Sequence, residues 1–303
     1  MFFKNVFAYE ITKNLDLSDF SEKLGNSSFV PCGNQDQKKM GWIPPLHECG
    51  GEDMILASEG RVLITLKVQE RLLPSSVINK AVDKKVEELE ARQDRKVFRK
   101  ERAGIKDDVI ASLLPRSHTK DTYLSGYIST DKKWLVINTS SEKSAIEFCA
   151  LLRHCLGSLP IIPFQGKTEY STLMTGWIDA DYDIEALEGI SFGSNITLEG
   201  DDSNVAKLKG VDYFSDEVCV HIESGKKVRE LEMFANGAFG FNLTDEVKLK
   251  GIKWDKEYIA SNGSESEDPA VRFDTDFVLM GGMIDMLLDH LLVVLEVDRQ
   301  WHE

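Results

Sequence analysis

Cysteine is scarce in this 303-residue sequence, and no two cysteines form a C-x-x-C pair. The five cysteines are odd in number and scattered: Cys32, Cys49, Cys149, Cys155 and Cys219. We therefore expect reduced thiols in a cytoplasmic protein rather than a disulfide framework. The adjacent His47, Glu48 and Cys49 lack a second ligand pair at a suitable spacing, so the sequence predicts no metal site and no cofactor.

Uninterrupted apolar segments long enough to span a membrane are also missing. Lys4 and Glu10 interrupt the apolar start of the chain, so we expect no secretory signal peptide. The longest apolar run near the C-terminus, residues 286–297, contains Asp289 and His290 and is too short to cross a bilayer. We expect no membrane contact. With 42% hydrophobic residues, the chain can instead form two or three globular units.

Positive charge is scarce overall but concentrated in one stretch. The chain has 36 Lys and Arg against 51 Asp and Glu, a formal net charge of -15. Such a balance repels nucleic acid unless positive charge is segregated. Residues 91–106 nevertheless carry seven bases and only two acids. This stretch could bind phosphates, or it could be a solvated helix face whose bases pair with acids at i, i+4.

A long helix is predicted to carry these bases. Ser75 or Ser76 can cap it after Pro74, and we expect it to end at Gly104. A short second helix should then run over residues 107–114. Four bases are spaced seven apart and would share one face of an unbroken helix: Lys85, Arg92, Arg99 and Lys106. The last three would span roughly 21 Å, comparable to several phosphate spacings along a duplex.

The remaining pattern predicts an α+β fold. Strands at 54–57 and 61–68 form one predicted hairpin, and strands at 122–128 and 134–138 form a second. Because the helical segment 76–115 lies between them, we expect it to be an insertion that protrudes from an α+β core. Five more strands are predicted in the second half of the chain: residues 196–198, 205–209, 228–234, 239–243 and 247–254. Further helices are predicted at residues 17–24, 141–157, 215–225 and 277–297.

Two short motifs match enzyme signatures in letters but not in context. Residues 189–193, GISFG, fit G-x-S-x-G, yet a nucleophile elbow needs a strand before Ser191 and a helix after it. Here an acidic, helix-like stretch precedes the serine and a strand-like NITL follows. The GKT of residues 166–168 lacks the earlier glycine of a P-loop, because Ile161 occupies that position. We expect neither a serine hydrolase nor a P-loop, and we expect Cys149 to pack as a small apolar group.

A nuclease is a further possibility, because FDTDF at residues 273–277 places two carboxylates two positions apart. On a strand, Phe273 and Phe277 would point inward, whereas Asp274 and Asp276 would face solvent. We therefore expect an ordinary solvated strand edge and no enzyme. A nuclease would instead predict metal-dependent cleavage that requires both aspartates.

Seven segments, in order across nearly the whole chain, resemble the RdgC family of bacterial recombination-associated proteins. They read FKNVFAYEI (3–11), FVPCGNQDQKKMGWIPP (29–45), LPSSVINKAVDKKVEELEARQ (73–93), LLPRS (113–117), LLRHCLGSLPIIP (151–163), HIESGKKVRELEM (221–233) and RFDTDFVLM (272–280). The P-C-G…G-W-I-P-P and LGSLP blocks are the most specific of these.

The resemblance implies a ring-shaped homodimer with a protruding helical finger. Its hole would be lined with positive charge and pass double-stranded DNA, and single-stranded DNA would bind as well. Members bind with little sequence preference and restrain RecA-promoted strand exchange by occupying DNA, which implies a cytoplasmic, nucleoid-associated protein. The implied domains are a central domain of residues 1–74 and 119–165, a finger of residues 75–118 and a base of residues 166–303.

The resemblance also implies which residues bind DNA. In the finger they are Arg92, Arg95, Lys96, Arg99, Lys100, Arg116 and His118, and in the base they are Lys207 and Lys209. The chain departs from the family pattern at two positions. His118 stands where LLPRAF usually places an aromatic at the fingertip, and Val211 stands where Gln is usual. Both departures predict altered contacts with DNA or with the partner subunit.

Two functional hypotheses follow. The first is a DNA-encircling protein whose bases neutralise phosphates, which predicts affinity that falls steeply with salt and depends little on sequence. The second is an acidic interaction factor that binds a recombinase or another basic partner and does not bind DNA itself. Binding of naked DNA at physiological salt distinguishes the two.

Overall fold

The chain divides into two compact units, and two separate segments of the sequence form the smaller one. The larger unit comprises Met1–Leu24, Pro44–Thr65 and Ser125–Glu303, and the smaller comprises Gly25–Ile43 and Leu66–Leu124. The computed structural model describes residues 2–166, 168–178, 189–235 and 237–299. The predicted division into a central domain, finger and base remains a prediction.

Strands and helices alternate irregularly along the described residues. The strands are β1 (Phe7–Ile11), β2 (Lys38–Ile43), β3 (Leu56–Ser58), β4 (Arg61–Arg71), β5 (Thr119–Ser129), β6 (Trp134–Ile137), β7 (Ile161–Pro163), β8 (Ile190–Glu199), β9 (Val205–Lys209), β10 (Lys227–Ala235), β11 (Phe239–Thr244) and β12 (Leu249–Trp254). The helices are α1 (Phe20–Gly25), α2 (Ser75–Gln93), α3 (Arg99–Leu113), α4 (Glu142–Leu156), α5 (Tyr170–Gly176), α6 (Asp216–Glu223), α7 (Lys256–Asn262) and α8 (Pro269–Val294).

In the smaller unit, α2 and α3 form a helical hairpin. The expected single helix to Gly104 is wrong: the chain turns after Gln93, and Gly104 lies inside α3. Asp94 adopts a left-handed conformation at φ 50°, which stops α2. The supposed stripe of bases spaced by seven is therefore divided between two helices, and the 21 Å estimate does not apply. Pro74, rather than either serine, precedes the first residue of α2.

The core of this helical hairpin is small. Ile78, Val82 and Val109 are buried, and partly buried neighbours such as Val86 and Ile105 complete the contact. Burying each such side chain contributes roughly 1.5–3 kcal/mol. Because this core is small, polar contacts at the turn between α2 and α3 also contribute to the stability of that end of the hairpin.

Two long strands, β4 and β5, contribute residues to both units. In the smaller unit β2 pairs with β4. Residues Ser27–Phe29 in turn pair with Trp42, the fifth residue of β2. Gly41 allows this close approach, because a Cβ there would lie 2.4 Å from the Cα of Phe29.

The larger unit contains two sheets. One has the order β4-β5-β6-β1-β7, with β3 beside β4, and the other has the order β12-β11-β10-β8-β9. Antiparallel pairs occur in both sheets, for example β1 with β6 and β10 with β8. Just before β1, the backbone of Val6 exchanges two hydrogen bonds with Leu249 of β12, so the first residues of the chain link the two sheets.

Helix α8 is the principal core helix of the larger unit. By length and composition it could cross a membrane, since its mean hydropathy reaches 1.9, but half of that apolar window is buried inside the protein. Its buried Asp285 accepts hydrogen bonds from Arg61 Nε (2.6 Å), Tyr127 Oη (2.7 Å) and Trp134 Nε1 (2.8 Å). Burial of the apolar side chains of α8 inside the larger unit therefore accounts for the apolar composition of this helix.

The predicted α+β class is confirmed, as are both hairpins and the helix from Ser141. Ser141 accepts a hydrogen bond from the Ser144 N–H, and Gly157 ends α4 at φ 75°. The predicted strand at 273–277 is wrong, because these residues belong to α8. Strands β2 and β7 and helices α5 and α7 were not predicted. Residues 263–268 form the loop between α7 and α8.

Candidate nucleic-acid interface

Positive charge gathers at the hairpin tip, defined as residues 92–102. The tip holds six bases and two acids, whereas residues 75–91 hold three bases and four acids. The tip comprises the end of α2, a five-residue turn and the first turn of α3. Folding back after Gln93 therefore brings the bases that end α2 close to those that begin α3.

Three hydrogen-bonded contacts hold the turn. The guanidinium of Arg95 donates to both carboxylate oxygens of Glu101, at 2.8 and 2.7 Å. The same carboxylate accepts the backbone N–H of Phe98 at 3.1 Å, and Glu90 accepts that of Val97 at 2.8 Å. The Arg95 hydrogen bonds and the Phe98 N–H lower the pKa of Glu101 to about 2. The turn is thus tied to both helices by charge-assisted hydrogen bonds.

Four of the predicted DNA-binding side chains at the tip lack an acidic partner. Within the described part of the chain, no ion pair or side-chain hydrogen bond engages Arg92, Lys96, Arg99 or Lys100, and all four are exposed. Arg95 differs, because Glu101 neutralises it. The structure therefore leaves four unpaired cations at the tip beside two paired arginines, Arg95 and Arg102.

Two other bases of the hairpin are paired with acids, as expected for a solvated face. Arg102 contacts Asp83 of α2 at 2.5 Å, and Lys84 lies 4.0 Å from Glu88. Both pairs are exposed, and such surface pairs typically contribute under about 1 kcal/mol. These two pairs fit the solvated-face interpretation, and DNA binding by the four unpaired bases at the tip stays a prediction.

Arg116 and His118 lie at the opposite end of α3 from Arg99. Arg116 ends a short 3₁₀ turn, and His118 precedes β5, where its carbonyl accepts the N–H of Leu72 at 2.8 Å. The fifteen residues of α3 span about 22 Å, so these side chains do not join the tip cluster. The expectation that His118 marks the fingertip is wrong for this hairpin, whose turn is at residues 94–98.

Lys207 and Lys209 share one face of β9, the last strand in its sheet order. Both are exposed and alternate with half-buried Ala206 and Leu208. They stand opposite Thr197 and Asn195 of β8 in the register. Neither lysine forms an ion pair with any described residue. Unpaired lysines also protect exposed sheet edges from aggregation, so this pair has two possible roles.

One residue of the tip, Phe98, was not predicted as a candidate binding residue. Its side chain is 70% exposed, the largest exposed fraction of any aromatic among the exposed hydrophobic residues. The signal was visible in RKVFRK, because Phe98 is the only aromatic residue in 75–118 and lies between two pairs of bases.

The enzyme-like motifs acquire no catalytic geometry. Ser191 lies within β8 opposite Phe234, so no nucleophile elbow forms. Of the GKT motif, Lys167 lies outside the described residues, as does the acidic stretch 179–188 before GISFG. Cys149 is buried in α4, and this burial raises the pKa of its thiol to about 12, which suppresses the reactive thiolate.

Asp274 and Asp276 also lack nuclease geometry. Two positions on a helix differ by about 200° around its axis, so their carboxylates do not converge. The described residues contain no group of three or more histidine, cysteine, aspartate or glutamate side chains arranged to hold a metal ion.

Comparison with known proteins gives one consistent family. A sequence model described as "Putative exonuclease, RdgC" matches residues 1–298. A recombination-associated protein RdgC from Shewanella sediminis is 33% identical over 298 residues, covering 97% of this chain and 98% of its own. Proteins with the same name from Proteus mirabilis and Salmonella paratyphi B are 33% and 32% identical over 300 and 297 residues, again at 96–98% coverage of both chains. With the full-length match, this chain belongs to the RdgC family of recombination-associated proteins.

Proposed function

We propose that this protein binds DNA with little sequence preference through the hairpin tip and acts in recombination by occupying DNA. The observation that carries the proposal is the group of four exposed cations without acidic partners at the tip: Arg92, Lys96, Arg99 and Lys100. Such a group is suited to binding phosphate, because each Lys or Arg side chain that contacts a phosphate releases counterions condensed on the DNA.

The positions of two of these four cationic residues are unfavourable for helix stability. Arg99 and Lys100 occupy the first turn of α3, near the positive end of its dipole. Cations there are disfavoured by typically 0.3–1 kcal/mol each. An anion bound at the tip would remove this repulsion, which supports a functional reason for their position.

The RdgC family resemblance adds the finer parts of the proposal. The protein forms a homodimeric ring around duplex DNA, the helical hairpin is its finger, and an acidic exterior with a basic lumen reconciles binding with the net charge of -15. It works in the cytoplasm on the nucleoid and restrains RecA by covering DNA. Its proposed contacts are Arg116 and His118 at the end of the hairpin away from the tip, Lys207 and Lys209 on β9, and the tip residues Arg92, Lys96, Arg99 and Lys100. Arg95 is held by Glu101 instead.

The family description as an exonuclease suggests a second activity, which we do not propose. A metal-dependent exonuclease would need a metal-binding cluster, and the described residues bring together no group of three or more histidine, cysteine, aspartate or glutamate side chains that could form one. The purely protein-binding alternative also has less support, because it assigns no role to unpaired bases at the tip.

Salt-dependent DNA binding tests the proposal directly. Anisotropy of two unrelated labelled duplexes of about 30 base pairs should give equal affinities and a log–log salt slope of roughly -0.9 per phosphate contact. Absence of binding at low salt would overturn the proposal in favour of the protein-interaction factor.

The ring has its own test, independent of affinity. Protein bound to a nicked circular plasmid should survive a high-salt challenge, whereas protein on the same plasmid after linearisation should slide off the ends. Equal release from both forms would show that the protein binds DNA without encircling it.

A further inference from the structure

The aromatic side chain of Phe98 is largely exposed to solvent. It is 70% exposed and does not belong to the small apolar core, which is formed around Ile78, Val82 and Val109. An exposed ring gains nothing from burial and so adds little to the stability of the hairpin. The preceding residue, Val97, is half-buried by comparison.

The backbone of Phe98 is nevertheless firmly held. Its N–H donates to Glu101 at 3.1 Å, and its carbonyl accepts the N–H of Arg102 at 2.9 Å. Arg95 fixes the same Glu101 carboxylate through two hydrogen bonds. The tip thus presents an aromatic ring from a fixed backbone position, so little conformational entropy remains to be lost when the ring makes a contact.

The surroundings of the ring identify the kind of partner. Lys96, Arg99 and Lys100 flank it in sequence and carry no acidic partner among the described residues. Protein interfaces and membrane anchors usually present a contiguous apolar patch of several hundred Å², whereas this ring stands alone among cations. An aromatic ring set among phosphate-binding cations is the combination that binds unpaired bases in single-stranded nucleic acid.

We propose that Phe98 stacks on an unpaired base, so that the tip favours single-stranded or locally unpaired DNA over intact duplex. This inference rests on the proposed function, because the flanking cations must hold the phosphates while the ring contacts the base. Stacking of one nucleobase on an aromatic side chain typically changes affinity about 5- to 150-fold.

Affinity for three DNA forms tests the proposal. The full-length protein and its Phe98→Ala variant are titrated with a single strand, the matching duplex, and that duplex with one bulged 2-aminopurine. Phe98→Ala should weaken binding to the first and third by at least about 5-fold and change duplex binding by less than about 2-fold, with an unchanged salt slope. Wild-type protein should quench the 2-aminopurine, Phe98→Trp should also quench it, and Phe98→Ala should not.

Val77→Ala supplies the matched control, since Val77 is an exposed apolar residue on the same hairpin, at the start of α2. It should behave as wild type with all three DNA forms. Equal weakening on every form by Phe98→Ala, or wild-type binding and quenching by that variant, would overturn the stacking proposal. The stacking proposal would also be overturned if Phe98→Ala reduced self-association or vesicle binding of the protein while its DNA affinity stayed unchanged. Failure of the wild type to bind any DNA would instead overturn the proposed function.

Discussion

Arg95 and Glu101 face each other across the turn between α2 and α3 and form a two-pronged ion pair at 2.8 and 2.7 Å. This pairing divides the bases of the tip into two kinds. Arg95 shapes the turn, whereas Lys96, Arg99 and Lys100 remain available to a ligand. A positively charged stretch in the sequence is thus only partly a binding surface.

Removing the acid of this pair should strengthen DNA binding. Glu101→Gln makes the tip more positive and frees Arg95 for a phosphate, so affinity at low salt should rise and the salt slope should steepen by about 1. Anisotropy measures both. Glu87→Gln, an exposed acid on α2 outside the tip, makes the same charge change and should have a smaller effect. Equal effects of the two substitutions would show that only net charge matters.

The carboxyl of Glu101 should titrate far below its usual value. Its pKa is lowered from 4.5 to about 2 by the Arg95 hydrogen bonds and the Phe98 N–H. Because the folded pKa is depressed, the stabilisation is full above pH 4.5 and is lost as pH falls towards 2. Carbon-13 NMR of the carboxyl group should report this pKa, and Arg95→Ala should move it back towards 4.5. An unshifted pKa in wild-type protein would mean that the pair does not form in solution.

Lys207 and Lys209 should contribute to DNA binding independently of the hairpin. The double change Lys207→Ala and Lys209→Ala should make the salt slope shallower by about 1.8 without altering the circular dichroism spectrum. If the lysines only protect the edge of the sheet, the variant will bind DNA normally and aggregate more readily in light scattering.

Asp285 should be the costliest single polar residue of α8 to remove. Asp285→Ala leaves the guanidinium of Arg61, whose side chain is only 14% exposed, without its carboxylate partner. It also removes the hydrogen-bond acceptor of Tyr127 and Trp134. Breaking a buried pair in this way costs about 3–5 kcal/mol in the free energy of unfolding. Urea unfolding measures it.

The matched control for Asp285 is one turn further along the helix. Asp289 pairs with Lys132, and both side chains are more than a third exposed. Asp289→Ala should therefore cost under about 1 kcal/mol. Similar losses for the two substitutions would contradict a buried network at Asp285.

The elements that were predicted correctly are those with local causes. Ser141 and Gly157 cap α4 with their own side chain and backbone, and turn residues at 58–60 mark the hairpin of β3 and β4. The break after Gln93 was missed because it depends on Arg95 and Glu101 meeting across a turn, which periodicity does not encode. Residues 273–277 were misread because a five-residue alternation fits a strand as well as the first turns of a helix.

The candidate site was predictable in composition but not in arrangement. Charge counting located the bases, yet only the fold separates Arg95, which is paired, from Arg99, which is not. The distance from the tip to Arg116 likewise follows from the length of α3. Phe98 was missed because an exposed aromatic cannot be distinguished from a buried one without the packing around it.

The most direct test compares salt slopes for two triple variants on one duplex. The first variant changes three basic residues of the tip to alanine: Lys96, Arg99 and Lys100. The second changes to alanine three lysines of α2 that precede the tip: Lys80, Lys84 and Lys85. If the tip binds phosphates, the first variant should bind more weakly with a slope shallower by up to about 2.7, and the second should stay close to wild type. Equal slopes for both variants and wild-type protein would contradict the assignment of the hairpin tip as the DNA-binding surface.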